Sequence, residues 1–207
     1  MKRGVFITFE GAEGSGKSTH IRFAASFFRK KRRRVLLVRE PGSTRVSEAI
    51  RKVLLDPENK GMTRETELLL YLAARAQLVR GKIIPALKSG KVVISDRFED
   101  STLAYQGFGE GIPLSTIERL SKSVRGNLKP DLTFILDVEP KRGFRRGGRR
   151  DRVEKKSDAF HARVRRGFLT LARKNPKRII LLRTDQPIKE VQKGILGKLN
   201  EKFGRIR

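Results

Sequence analysis

The 207-residue chain has no cysteine and no tryptophan, only two tyrosines, two histidines and two methionines. Without cysteine there can be no disulfide and no thiolate metal site. No apolar run approaches the roughly 20 residues needed to cross a bilayer. The start, Met1-Lys2-Arg3-Gly4, carries positive charge, but an apolar strand and a glycine-rich motif follow at once, so a cleaved leader would have to remove the motif. A soluble, cytoplasmic protein with no membrane partner is expected. Acidic residues are also scarce, 22 against 49 lysines and arginines, for a formal net charge of +27. Such an excess raises nucleic acid as a partner. The scarcity of aromatic stacking residues and the lack of any nucleic-acid-reading module argue for a solvated basic surface instead, with no specific nucleic acid bound. Hydrophobic residues make up only 37% of the chain but fall in short runs, enough for a single domain over 1–207 with one core.

What is present begins with Gly4-Val5-Phe6-Ile7-Thr8-Phe9, a run of strand composition leading into Glu10-Gly11-Ala12-Glu13-Gly14-Ser15-Gly16-Lys17-Ser18-Thr19. Within it lies Gly-x-x-x-x-Gly-Lys-Ser, the P-loop pattern. The glycines allow a tight turn that brings amides close to a polyphosphate. Lys17 can reach the β- and γ-phosphates, and Ser18 can sit on Mg²⁺. The helix that follows directs its positive end at the anion. Residues 11–19 are therefore the expected ATP-binding segment, with Ser18 the metal ligand.

Downstream, strands and helices alternate. Strands are expected at 35–38, 91–95, 131–137 and 178–183, and helices at about 18–30, 45–55, 63–89, 113–124, 157–174 and 187–203. Apolar runs of strand length separated by helices predict an α/β fold with a five-stranded parallel sheet covered on both faces. Residues 101–107 read as mixed, with a flexible glycine-rich exit to Gly111. The helix after Thr63 is apolar nearly all round, which suggests a central position. Arg75 inside it needs an anionic or polar partner, or must snorkel to the surface; the residues alone leave both open. Arg39, Glu40, Asp96 and Arg97 fall at strand ends, where open α/β sheets keep their ligands. Residues 141–156 combine glycines with six arginines, so they form either a disordered basic loop or a lid that orders over an anion.

Four motifs in order resemble the thymidylate kinase family of nucleoside monophosphate kinases. They are the segment 9–19, Arg39-Glu40-Pro41-Gly42, Leu69-Leu70-Tyr71-Leu72-Ala73-Ala74-Arg75, and Asp96-Arg97-Phe98 continuing to Ser101-Thr102-Leu103-Ala104-Tyr105-Gln106-Gly107. The resemblance implies phosphoryl transfer from ATP to dTMP, Mg²⁺ as cofactor, a homodimer and a short lid. It places Lys17 on the ATP phosphates and Glu13 near the acceptor's sugar and phosphates. Arg97 would take the dTMP phosphate, with Arg39 and Glu40 in the same pocket. Tyr71 would stack on thymine and Arg75 bond the base, while Thr102, Tyr105 and Gln106 line the acceptor pocket, the tyrosine disfavouring a ribose 2′-OH. The family comes in two subtypes, with a catalytic arginine either in the P-loop or in the lid. Here the P-loop position is Gly14, and Asp151-Arg152-Val153-Glu154 matches the bacterial lid pattern. The resemblance therefore implies a lid finger, with Arg149 preferred over Arg145, Arg146 and Arg150. Ser43 stands where the family has a second glycine after Gly42. Two other readings compete: another monophosphate kinase, and a P-loop ATPase stimulated by nucleic acid.

Overall fold

A computed structural model describes residues 4–144 and 151–204. At its centre is β1 (Val5–Glu10), flanked by β3 (Val92–Asp96) and β4 (Leu132–Asp137). The sheet order is β2-β3-β1-β4-β5, with β2 spanning Val35–Arg39 and β5 Ile179–Arg183. Every neighbouring pair is parallel, with Val5 beside Val92 and Phe9 beside both Asp96 and Phe134. The chain runs from β1 to β2 on one side and later returns to β4 on the other. That reversal opens a crevice at the carboxyl end of β1, the usual ligand site in such sheets.

The alternation hidden in the β1 run explains how both faces are covered. Val5, Ile7 and Phe9 pack with Ala24, Phe28, Ile195 and Phe203, from α1 (Lys17–Lys30) and α9 (Ile188–Phe203). On the opposite face Phe6 packs with Leu78, Ile83 and Phe98. Further along that face, Thr8 Oγ1 lies 2.7 Å from Thr133 Oγ1, and Glu10 accepts from Ser101. Alternate residues of one strand thus pass from apolar core to polar site over three positions.

The remaining helices are α2 (Arg45–Leu55), α3 (Arg64–Leu78), α4 (Ile84–Lys88), α5 (Glu99–Thr102), α6 (Leu114–Arg125), α7 (Pro140–Phe144) and α8 (Asp158–Lys174). Thr44, Thr63 and Ser157 cap α2, α3 and α8 with their hydroxyls. A wider π turn over Val79–Ile83 joins α3 to α4; Pro85 cannot donate to the ladder, and the wider turn accommodates it. Among the described residues no helix is long and apolar enough to cross a membrane.

Three expectations change. Residues 101–107, expected to be mixed with a flexible exit, are helical: α5 runs on as a π turn over Leu103–Gly109, most of it buried. Its glycines serve close approach rather than flexibility. A Cβ on Gly107 would lie 2.4 Å from Leu114 Cδ2, and one on Gly109 would lie 2.6 Å from the Phe160 ring. Nor is α3 central, since Leu69 is 56% exposed while Leu68 and Leu72 are buried. Finally, the ends of the 141–156 segment are ordered. Residues 140–144 form α7, and Arg152 and Val153 are buried. The like charges there do not prevent packing because Arg152 and Lys156 meet the buried carboxylate of Glu67.

Candidate active site

The loop after β1 leads into α1 without a side-chain cap: Gly16 occupies the N-cap position in a left-handed conformation with φ 84°. The first-turn amides of α1 are thereby left for an anion. Lys17 folds across the loop, its Nζ donating to the carbonyls of Gly11 at 3.2 Å and Ala12 at 2.9 Å. Burial lowers its pKa, with Arg97 adding to the effect. Ser18 and Gly16 are exposed beside it and Ser15 is buried.

Gly14 packs against α7. It has φ 68°, and a Cβ there would lie 2.0 Å from the carbonyl oxygen of Gly143 on α7. No side chain fits without displacing α7, so the missing P-loop arginine is built into the packing.

Arg97 sits at the end of β3 with φ 68°, a left-handed conformation that costs a non-glycine residue about 1–3 kcal/mol. The surrounding bonds hold it there: its amide donates to the Phe9 carbonyl at 2.9 Å, and Ser95 Oγ donates to its carbonyl at 2.6 Å. The turn aims the guanidinium back over the P-loop. It donates to the Gly11 carbonyl at 3.0 Å and Ser101 Oγ at 3.1 Å, pairs with Glu13, and lies 5.1 Å from the Tyr105 ring centroid. Burial works against ionisation of Glu13, but Arg97 and Lys17 outweigh it and hold the carboxyl down at about 2. Burial pushes the Tyr105 phenol up to about 12. Behind Ser101, burial and the neighbouring Asp100 push Glu10 up to about 8.

Arg75 does not snorkel. It is 1% exposed, with Nε 2.8 Å from Glu40 Oε2 and one terminal nitrogen 2.7 Å from the same oxygen. It also donates to Thr102 Oγ1 at 2.8 Å and lies 5.0 Å from the Phe98 ring centroid. Burial raises the pKa of Glu40 and Arg75 opposes it. A cleft is lined by Glu13, Glu40, Arg51, Tyr71, Arg75, Arg97, Thr102, Tyr105 and Gln106, and closed on another side by Asp151, Val153 and Glu154.

Of the expected acceptor residues, Arg39 is the one the structure keeps out of this lining. It is solvent-exposed and paired with Glu48 at 2.9 Å. Arg51 reaches the cleft instead, from α2, with a bond to the Pro41 carbonyl at 2.9 Å. Sequence reasoning also missed Ser101 and Glu10 as supports of Arg97. Both lie inside the quoted motifs, but their pairing across 91 positions is set by the sheet. Ser43 adopts φ 71°, the conformation that explains a glycine preference there, and its amide is held by Glu48 at 2.7 Å. Arg145, Arg146, Arg149 and Arg150, including the preferred finger, lie outside the described residues.

Mg²⁺ binds through one or two protein oxygens together with phosphates and waters. The exposed Ser18 hydroxyl fits that demand. So does Asp96 at the end of β3, whose Oδ1 is buried without a hydrogen-bond partner among the described residues and whose charge acts on Lys17.

The family model for thymidylate kinase matches residues 9–195. A thymidylate kinase from Pseudomonas fluorescens (strain SBW25) is 48% identical over 207 residues, covering 99% of both chains. Another from Symbiobacterium thermophilum is 44% identical over 203 residues, covering 97% of this chain and 95% of its own. The crystal structure of thymidylate kinase from Ehrlichia chaffeensis superposes with a TM-score of 0.78 at 36% identity, covering 95% of this chain and 99% of the other.

Proposed function

Since the chain belongs to the thymidylate kinase family and phosphorylates dTMP to dTDP, we propose a division of that work among its residues. The reaction forms a bond from a dTMP phosphate oxygen to the γ-phosphorus of ATP and breaks the bond from that phosphorus to the β-bridging oxygen. Charge spreads over the equatorial oxygens in the transition state, so the protein chiefly positions groups and supplies cations. Residues 11–19 wrap the ATP phosphates, with Lys17 turning from the Gly11 and Ala12 carbonyls to the phosphate chain. Ser18 and Asp96 would hold Mg²⁺, which neutralises phosphate charge when bound.

Arg97 takes the acceptor phosphate, with Arg51 at the same end of the cleft and Glu13 orienting Arg97. Tyr71 stacks on the base, and Arg75, held rigid by Glu40 and Thr102, bonds its edge. Tyr105 packs beside the sugar. The observation that carries this reading is the shared lining of one cleft: a flat aromatic, Tyr71, and a buried guanidinium, Arg75, line it together with Arg97, which stands on a left-handed backbone and pairs with Glu13 of the P-loop. A coupled ADP-release assay across dTMP, dUMP, AMP, CMP and GMP should show dTMP preferred by at least about tenfold in kcat/KM. Equal or greater turnover of AMP or CMP would contradict the base pocket.

A homodimer belongs to the same reading. On α2, Val46, Ala49, Ile50 and Val53 repeat at helical spacing, with Val46 and Val53 about half exposed; Leu69 on α3 is exposed as well. An apolar stripe of this kind suits burial against a second copy, and it accounts for a helix α3 apolar nearly all round. Sedimentation should give twice the chain mass, falling to one on Val53→Glu; a monomeric parent protein would remove the proposal.

A further inference from the structure

We propose that Glu67 is a positioning residue for the transfer reaction, fixing the return end of the lid, residues 151–156, against the helix that presents Tyr71 and Arg75. Its carboxylate is 1% exposed in the first turn of α3. A buried carboxylate persists only where donors compensate it, and here they come from two other segments. Gln106 of the π turn donates at 2.7 Å, Arg152 at 2.6 Å and Lys156 at 2.9 Å. Burial opposes ionisation of Glu67, but Lys156, Gln106 and Arg152 together hold its pKa below the ordinary carboxylate value.

Arg152 is itself buried and also clamps the end of α2, with Nε donating to the Leu54 carbonyl at 2.8 Å. The turn around it is fixed by Asp151, whose Oδ1 accepts the amides of Val153 and Glu154, both at 2.9 Å. Arg152 therefore faces Glu67 while Asp151, Val153 and Glu154 face the acceptor cleft. If the Arg152 anchor rotates, that wall of the cleft turns with it.

Two consequences reach the chemistry. Tyr71 stands four residues after Glu67 on the same face of α3, so one carboxylate ties the base platform to the lid. The anchor is also a leash. Arg149 lies three residues before Arg152, a span of at most about 10 Å even when fully extended. Fixing Arg152 thus limits where a finger arginine can act. Gln106, expected in contact with substrate, has its amide engaged by Glu67 and acts at least in part through this junction.

The inference rests on the acceptor-cleft reading above, which the monophosphate panel tests on the unaltered protein. The inference itself is tested on Glu67→Gln, with Lys156→Met as a milder variant should the first not fold. Glu67→Gln should lower kcat about tenfold or more while leaving the ATP dissociation constant within twofold. Amide exchange in 151–156 should quicken, with β1 and β4 unchanged; Lys156→Met should show the same pattern with a smaller loss. An unchanged kcat, or exchange that is unchanged at 151–156 or that quickens equally throughout the sheet, would overturn it.

Discussion

Arg97→Ala is expected to lower kcat/KM for dTMP by roughly 10²–10³. Truncating one partner of a buried, hydrogen-bonded charge pair costs about 2–5 kcal/mol, and each 1.4 kcal/mol is about tenfold. Three features place Arg97 well inside that range. Its backbone is held in a left-handed conformation that only surrounding bonds can enforce. Its guanidinium ties together the Gly11 carbonyl, Ser101 and Glu13, so its loss also loosens the P-loop. And it would leave Glu13, a carboxylate kept ionised by that neighbour, facing an incoming phosphate dianion alone. Like charge replaces attraction at the point where acceptor and donor meet. The loss should lie mainly in KM, because the contact is already made in the bound ground state. A loss confined to kcat would instead make Arg97 a transition-state group.

Arg149→Ala should behave in the opposite way, lowering kcat by roughly 10³ or more with dTMP affinity nearly unchanged. An arginine finger acts on charge that develops only during transfer and is worth about 10³–10⁵ in related systems. Gly14 is what sends the finger to the lid. The P-loop offers no arginine there and, with Gly143 packed on it, no room for one. A cation must then come from across the cleft, and the segment between α7 and the Arg152 anchor is rich in them. Single-turnover kinetics on the variant would isolate the chemical step. An unchanged rate would pass the role to Arg145, Arg146 or Arg150.

Much of the molecule could be read from the chain because its signals are local. Each strand is a short apolar run, and three of the four motifs begin at the end of one, so the sheet's carboxyl edge was legible before its topology was. Thr63 and Ser157, whose hydroxyls cap α3 and α8, stand at the expected starts of their helices for the same reason. What could not be read depends on distant partners. Residues 101–109 look mixed, with a flexible exit, until α6 and α8 are laid against them, when their glycines become points of close packing. Arg75 could have been a surface residue; Glu40, 35 positions away, makes it internal. Arg39 and Arg51 are alike in composition, but Glu48 holds the first outside the cleft while the second reaches in. The roles of Glu67 and Arg152 were hidden most deeply, since an ion pair between residues 85 apart leaves no periodic trace. Six arginines in one segment read as mutual repulsion, until one of them is seen to be buried on a carboxylate.

The proposed division of the cleft puts the acceptor phosphate against Arg97 and the base against Tyr71 and Arg75. Equilibrium binding of dTMP and of thymidine to the parent protein and to Arg97→Ala tests this most directly. The substitution should weaken dTMP by roughly 10²-fold and leave thymidine within about twofold, because only the phosphate meets Arg97. Equal weakening of both ligands, or of neither, would contradict it.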